Sequence, residues 1–333
     1  MAAPNHVLVI KYSRLEYSIM VNGVHKKSAS PGDGPTNVQR QQQTLTFYDR
    51  ITSNNAARIR LWIRLKKLSA EFRIAYTTHA DQLLSSDDDD DDDFFASVNP
   101  NRKIPLLLLE DGRTALPESA IILQYLEERY ASVPPSLLPP TPEGRAALNL
   151  AIRYLDLYIA SPNSTHGTGP PYGLNCHAQS CFYVPPAPDD DDGGAGGDRE
   201  DGVLVHRGLS PAMRAAKLAD VWRQLDVLEG HCSCDPYLSG PHLTLSDITL
   251  LPTAFCVSYY GPRTFGWDDG AVWAGRPKLR GWYHRAMLDG HEEARDIVAE
   301  MEGALDGSED VRVRIGSIRK QVEGHPQCKW IYP

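Results

Sequence analysis

Residues 99–130, NPNRKIPLLLLEDGRTALPESAIILQYLEERY, limit the possible folds of this chain more than any other stretch. The first half reads as a strand. Polar residues 101–103 lead into the apolar run 106–109, which the turn Glu110-Asp111-Gly112 closes. The second half reads as a helix, with Ile121, Ile122, Tyr125, Leu126 and Tyr130 at helical spacing and Glu127, Glu128 and Arg129 on the other face. Pro105 stands directly before the strand and removes a ladder donor. If its peptide bond is cis, the backbone of Ile104 turns outward toward an extended partner. Glu118 and Ser119 stand at the expected helix start, where free amides and the helix dipole favour a carboxylate and Ser119 adds a donor. A strand edge and an anion site a few residues apart suit a short acidic peptide. An edge-strand proline followed by an ordinary capping pair is the plainer alternative.

The flanking segments place this unit in a domain. Residues 44–49 read as a strand, 55–67 as a helix with Ile59, Ile63 and Leu68 inward, and 71–76 as a second strand. Strand, helix, strand implies parallel pairing with a right-handed crossover. Residues 99–130 then complete a thioredoxin-like βαβ-ββα domain over 44–130. Seven aspartates at 87–93 lie in an expected disordered insertion, 85–94, because they repel one another and carry no apolar content. Residues 1–43 form an extension, strand-like at first and then rich in Ser, Pro, Gly and Gln.

Residues 131–142 are a stiff proline-rich linker. An all-helical domain is expected over 143–305, beginning with a helix at 143–160 that carries Leu148, Ile152, Leu155 and Ile159 on one stripe. A Gly-, Asp- and Pro-rich insertion, 161–209, cannot bury a core by itself. Ser210-Pro211 starts the next helix. Thr244 with Asp247 makes a capping box at the head of a buried helix that Pro252 should kink. The aromatic segment 257–267 is expected to follow that helix, with two further helices at 277–287 and 292–305 and a tail at 306–333.

A formal charge of −9, owed partly to acidic runs at 87–93 and 189–192, argues against nucleic-acid and anionic-membrane partners. No stretch is long and apolar enough to span a bilayer. Lys11, Arg14 and Glu16 interrupt any signal-peptide layout, so a cytoplasmic location is expected. The six cysteines do not make a disulfide framework. Cys176 and Cys181 around His177, and Cys232-Ser233-Cys234 after His231, lack the paired spacing of a structural zinc site. They read as loop thiols, with no metal expected.

NPxxKIPxL, then Asp-Gly, then ESAIILQYLEE, in that order, resembles the second half of the thioredoxin-like domain of cytosolic glutathione S-transferases. The YLSG-like turn before the Thr-x-x-Asp box resembles that family's second signature. The resemblance covers about residues 44–160 and 210–305, and it implies a glutathione S-transferase fold: a thioredoxin-like domain followed by an all-α domain. It implies a cis proline at 105 and a glutathione-binding set of Lys103, Ile104, Pro105, Glu118 and Ser119. Ile104 and Pro105 would meet the cysteinyl part, and Glu118 and Ser119 the γ-glutamyl part. The family places its thiol-activating group in the first βα turn, where this chain offers Thr52, Ser53 and Asn54, with Ser53 foremost. Simple helix capping is the alternative. The zeta-like, maleylacetoacetate isomerase-like pattern of serines and a cysteine before Arg-Val-Arg is partly kept, since Arg58-Ile59-Arg60 survives and the cysteine does not.

Tyr260 and Arg263 become substrate contacts by the same resemblance, with aromatic packing as the alternative. A homodimer is implied. The implied reaction is attack of an activated glutathione thiolate on a small electrophile. It gives a conjugate, or an isomerised or dehalogenated product when glutathione leaves again. The alternative is a non-catalytic module of the same fold that mediates interactions.

Overall fold

A computed structural model describes residues 9–12, 15–18, 44–76, 99, 104–160, 181–182, 199–200, 203–204 and 209–332. Strands β1 (Val9–Tyr12) and β2 (Leu15–Ser18) pair antiparallel. In β3 (Leu45–Asp49) buried and half-buried residues alternate, the period of a strand with one face in a core. It runs parallel to β4 (Phe72–Tyr76), with Leu45 opposite Phe72. On its other side β5 (Leu106–Leu108) is antiparallel, and β6 (Ala115–Pro117) closes the order β4-β3-β5-β6. Helices α1 (Asn54–Leu65) and α2 (Ser119–Arg129) complete the expected thioredoxin-like domain.

Two residues of α2 reverse the face that spacing assigned them. Glu127 is buried, and Ile121 is 51% exposed. The Glu127 carboxylate accepts from Trp62 Nε1 and Leu137 N, each at 2.8 Å, and pairs with Lys66 Nζ at 3.0 Å. A buried carboxylate with three donors is satisfied, and it ties α1, α2 and the linker together.

The second domain begins with α3 (Pro142–Leu155), capped by Thr141, and continues through a π-helical turn at Asp156–Ala160. Ser210 caps α4 (Pro211–His231). At the head of α5 (Leu245–Phe265), Asp247 accepts from Thr244 N (2.8 Å), Thr244 Oγ1 (3.0 Å), Leu238 N (2.8 Å) and Trp282 Nε1 (2.9 Å). The capping box thus also holds a turn and a later helix. Helix α5 runs unbroken through Pro252 and Pro262, so residues 257–265 are its second half and do not follow it. Each proline removes one N–H, a loss that packing around this almost wholly buried helix outweighs.

After α6 (Pro277–Gly281), with its π-helical turn Trp282–Asp289, and α7 (Glu292–Asp306), residues 309–324 are not a tail. They form α8 (Glu309–Gly324), which docks through buried Val311 and Ile318. Trp330 follows and stacks on Phe265 at 6.0 Å. The apolar positions Val311, Ile315, Ile318 and Val322 do keep helical spacing, but dense charges surround them. From the stretch read as an insertion, Cys181 and Phe182 are buried in the core. Most of 161–209, along with 85–94 and Lys103, lies outside the described residues. Among those described, no helix is long and apolar enough to cross a membrane.

Candidate functional site

The site starts where β3 hands over to α1. Buried Arg60 donates to Asp49 Oδ1 at 2.6 Å and to the Ile51 carbonyl at 2.8 Å, and Ser53 N donates to the Arg50 carbonyl at 2.9 Å. These bonds fix the turn, so Arg60 is a structural residue. Ser53 is the N-cap of α1. Its backbone is extended (φ −80°, ψ 120°) and its Oγ accepts from Ala56 N at 3.2 Å. A hydroxyl that accepts one hydrogen bond keeps its own O–H to donate. Thr52 lies half-buried in the turn before it. Asn54 is buried and donates from Nδ2 to Thr253 Oγ1 on α5 at 3.1 Å, which commits that amide to the junction of the two domains.

A cleft of about 310 Å3, counting the part open to solvent, lies beside this turn. Asn55, Asn99, Ile104, Pro105, Pro117, Glu118 and Ser119 line it. Four residues singled out from sequence, Ile104, Pro105, Glu118 and Ser119, therefore meet in one place. The Ile104–Pro105 peptide bond is cis. Leu106, next in the chain, is held between Tyr48 of β3 and Pro117 of β6. Glu118 is exposed at the N-cap of α2 and has φ +72°, a conformation a non-glycine residue rarely holds. Ser119 is only 7% exposed.

The chemistry of the cleft follows from these groups. The first amides of α2 have no partner within the helix, and with the helix dipole they favour a carboxylate. The Glu118 carboxylate a residue away favours an ammonium. An amino-acid end carrying both charges fits such a pair, and the main chain at Ile104 can meet an adjoining peptide group. Asn55, Asn99 and Pro117 were not anticipated. Asn55 follows the three residues proposed to activate a thiol, and Asn99 begins the NP motif. Thr52, Ser53 and Asn54 do not line this cleft, and Asn55 alone represents α1 there.

The two substrate contacts proposed on α5 both touch Tyr259 but otherwise face different neighbours. Tyr260 stacks on Phe182 at 5.6 Å, and burial pushes its hydroxyl above the ordinary tyrosine value. Arg263 lies 3.8 Å from the Tyr259 ring centroid and faces a second cleft, of about 660 Å3 when its open part is counted in the same way, with Tyr259, Asp306, Arg312, Ile315 and Arg319. Tyr259 donates to Asp306 at 2.7 Å; burial first, and that bond second, push it up to about 12. Tyr259 stands six positions after Thr253 on α5, about 9 Å of helix. Among the described residues, no group of three or more His, Cys, Asp and Glu side chains could hold a metal ion.

A family model described as the N-terminal domain of glutathione S-transferase matches residues 47–136, and one for its C-terminal domain matches residues 211–285. No curated protein matches the chain significantly. Among solved structures, the chain is similar to glutathione transferase Omega 3C from Trametes versicolor, with 17% identity, 77% of this chain and 89% of that one covered, and a TM-score of 0.52. A diazinon-metabolizing glutathione S-transferase of the silkworm Bombyx mori is 17% identical over 78% of this chain and 98% of its own, with a TM-score of 0.53. A glutathione S-transferase from Methylobacterium radiotolerans, in complex with glutathione sulfonate, is 20% identical over 77% of this chain and 94% of its own, with a TM-score of 0.51. At these identities the likeness speaks to the fold.

Proposed function

Because this chain belongs to the glutathione S-transferase family, we propose that it binds glutathione in the cleft beside α2 and transfers it to a small electrophilic substrate. One observation carries this reading: Ile104, Pro105, Glu118 and Ser119 share a cleft with Asn55 in the first turn of α1. Glu118 and Ser119 hold the γ-glutamyl end, Ile104 and Pro105 meet the cysteinyl part, and Lys103 belongs to the same set. The complex of the Methylobacterium relative with glutathione sulfonate supports a ligand of this class.

Ser53 is the residue assigned to the thiol, with Thr52 and Asn54 after it. Its hydroxyl proton donates to the sulfur, which lowers the thiol's pKa and raises the fraction of nucleophilic thiolate. The α1 dipole acts in the same direction. The electrophile lies on the α5 side, where Tyr260 and Arg263 are its proposed contacts. Conjugation is the reaction this arrangement supports directly, and isomerisation or dehalogenation would follow where the glutathione adduct breaks down again. The family relation supports a homodimer.

Calorimetric titration of glutathione into the purified protein, and into the Glu118→Ala, Ser119→Ala double variant, tests the site. Binding in the parent and its loss in the double variant is the expected result. A folded parent that takes up no glutathione overturns the reading and leaves a module of this fold that serves in protein interactions.

A further inference from the structure

Cys232 and Cys234 stand one residue apart in the turn that leaves α4, with their sulfurs 2.7 Å apart. That is longer than the roughly 2.05 Å of a disulfide bond. The backbone holds the pair on both sides. Cys232 N donates to the Leu228 carbonyl at 2.8 Å, Ser233 N donates to the Leu238 carbonyl at 2.9 Å, and Cys234 has φ +48°. Lys278 Nζ donates to the Cys232 carbonyl at 3.2 Å. Cys232 is buried and Cys234 is half-buried, so a small reagent can reach the pair from the Cys234 side. Cys181 and Cys256 are buried in the core, Cys181 completely.

We propose that Cys232 and Cys234 form a reversible disulfide within the chain, made by exchange with a small disulfide such as glutathione disulfide. One sulfur of the pair loses its proton and attacks a sulfur of glutathione disulfide, releasing one glutathione thiolate. The other sulfur, also deprotonated, then attacks the protein sulfur of the mixed disulfide and releases the second glutathione. The two protons end on the two glutathiones. Two protein thiols and one glutathione disulfide thus become one protein disulfide and two glutathione molecules. The hydrogen bond from Cys234 holds the Cys232 thiol below its ordinary value, which favours the thiolate that exchange requires. Enforced proximity makes the second step intramolecular, so the mixed disulfide is short-lived. The exchange makes no use of the cleft beside α2.

The test incubates full-length protein in buffers of stepped glutathione to glutathione disulfide ratio, quenches with an alkylating reagent, and reads intact mass and peptide maps. The parent should lose two alkylatable thiols together, both mapping to Cys232 and Cys234, with the mass of the protein lowered by two hydrogens. Cys234→Ser, and Cys234→Ala as a second variant, should lose that paired change and at most gain one glutathione. The Glu118→Ala, Ser119→Ala variant should oxidise as the parent does, so failure of the glutathione cleft and failure of the dithiol give different results. Full alkylation of both thiols in the most oxidising buffer overturns the proposal. A lasting glutathione adduct on the parent pair, or a disulfide that maps to other cysteines, overturns it equally.

Discussion

Asn54, the first residue of α1, donates to Thr253 on α5 across 3.1 Å, joining two buried side chains 199 positions apart in the chain. The bond pins the start of α1 to the second domain. Thr253→Val removes the acceptor at nearly constant volume and should lower stability by about 1–2 kcal/mol in denaturant unfolding. Thr253→Ser keeps the hydroxyl and should restore most of it. A Val variant as stable as the parent would show that the bond does not hold the domains together.

Ser53 has two separable duties. Its Oγ caps α1 by accepting from Ala56 N, and its O–H is assigned to the thiol. Ser53→Ala should cost about 1 kcal/mol of stability through the cap and also lose turnover. Ser53→Asp keeps a capping oxygen but offers no donor when ionised, so it should hold stability and still lose turnover. Ser53→Thr should keep both. Steady-state kinetics beside thermal unfolding separates the two duties, and an active Asp variant would move the thiol-activating role to another residue.

Glu118 holds φ +72°, which costs a residue with a Cβ on the order of 1–3 kcal/mol. Glu118→Gly should therefore raise the unfolding midpoint while weakening glutathione binding, because the carboxylate is gone. Glu118→Gln should leave stability unchanged and weaken binding alone. A Gly variant that is less stable than the parent would contradict the strain argument.

Burial pushes the thiols of Cys181 and Cys256 up to about 12, from an ordinary 9.0. As pH rises past 9 the unfolded chain sheds protons that the native state keeps, so stability falls from there toward 12 and is unaffected below. Each thiol contributes up to about 1.4 kcal/mol per pH unit in that window. Denaturant midpoints measured across it should fall with pH, and Cys256→Ala should make the fall shallower. Neither thiol should react with maleimide in the native protein near neutral pH. An alkaline slope that Cys256→Ala leaves unchanged would count against the burial argument.

Local chemistry was legible where one short stretch carries its own constraint. The βαβ-ββα order, the first helix to within one residue of its start at Asn54, the helix start at Ser119 and the caps at Ser210 and Thr244 follow from propensity, periodicity and capping patterns, while the grouping of Ile104, Pro105, Glu118 and Ser119 came from the family resemblance. Each of those signals acts over a few residues. Periodicity failed where one residue departs from the face its spacing suggests. Glu127 is buried because Trp62, Lys66 and Leu137, distant in the chain, supply donors for its carboxylate. Ile121 is exposed although it belongs to the apolar pattern.

From sequence alone one could determine that the chain makes a thioredoxin-like domain joined to a helical one, and which residues stand at the helix start of its candidate cleft. Only the tertiary structure decided that α5 continues beyond Pro252 through Pro262, that residues 309–324 pack as a helix, that Asn54 turns to Thr253 while Asn55 faces the cleft, and that Tyr260 stacks on Phe182 while Arg263 lines a second cleft. The reason is range. Capping and periodicity are settled between neighbours in the chain, whereas burial of a polar group is settled by whichever partner the fold brings to it.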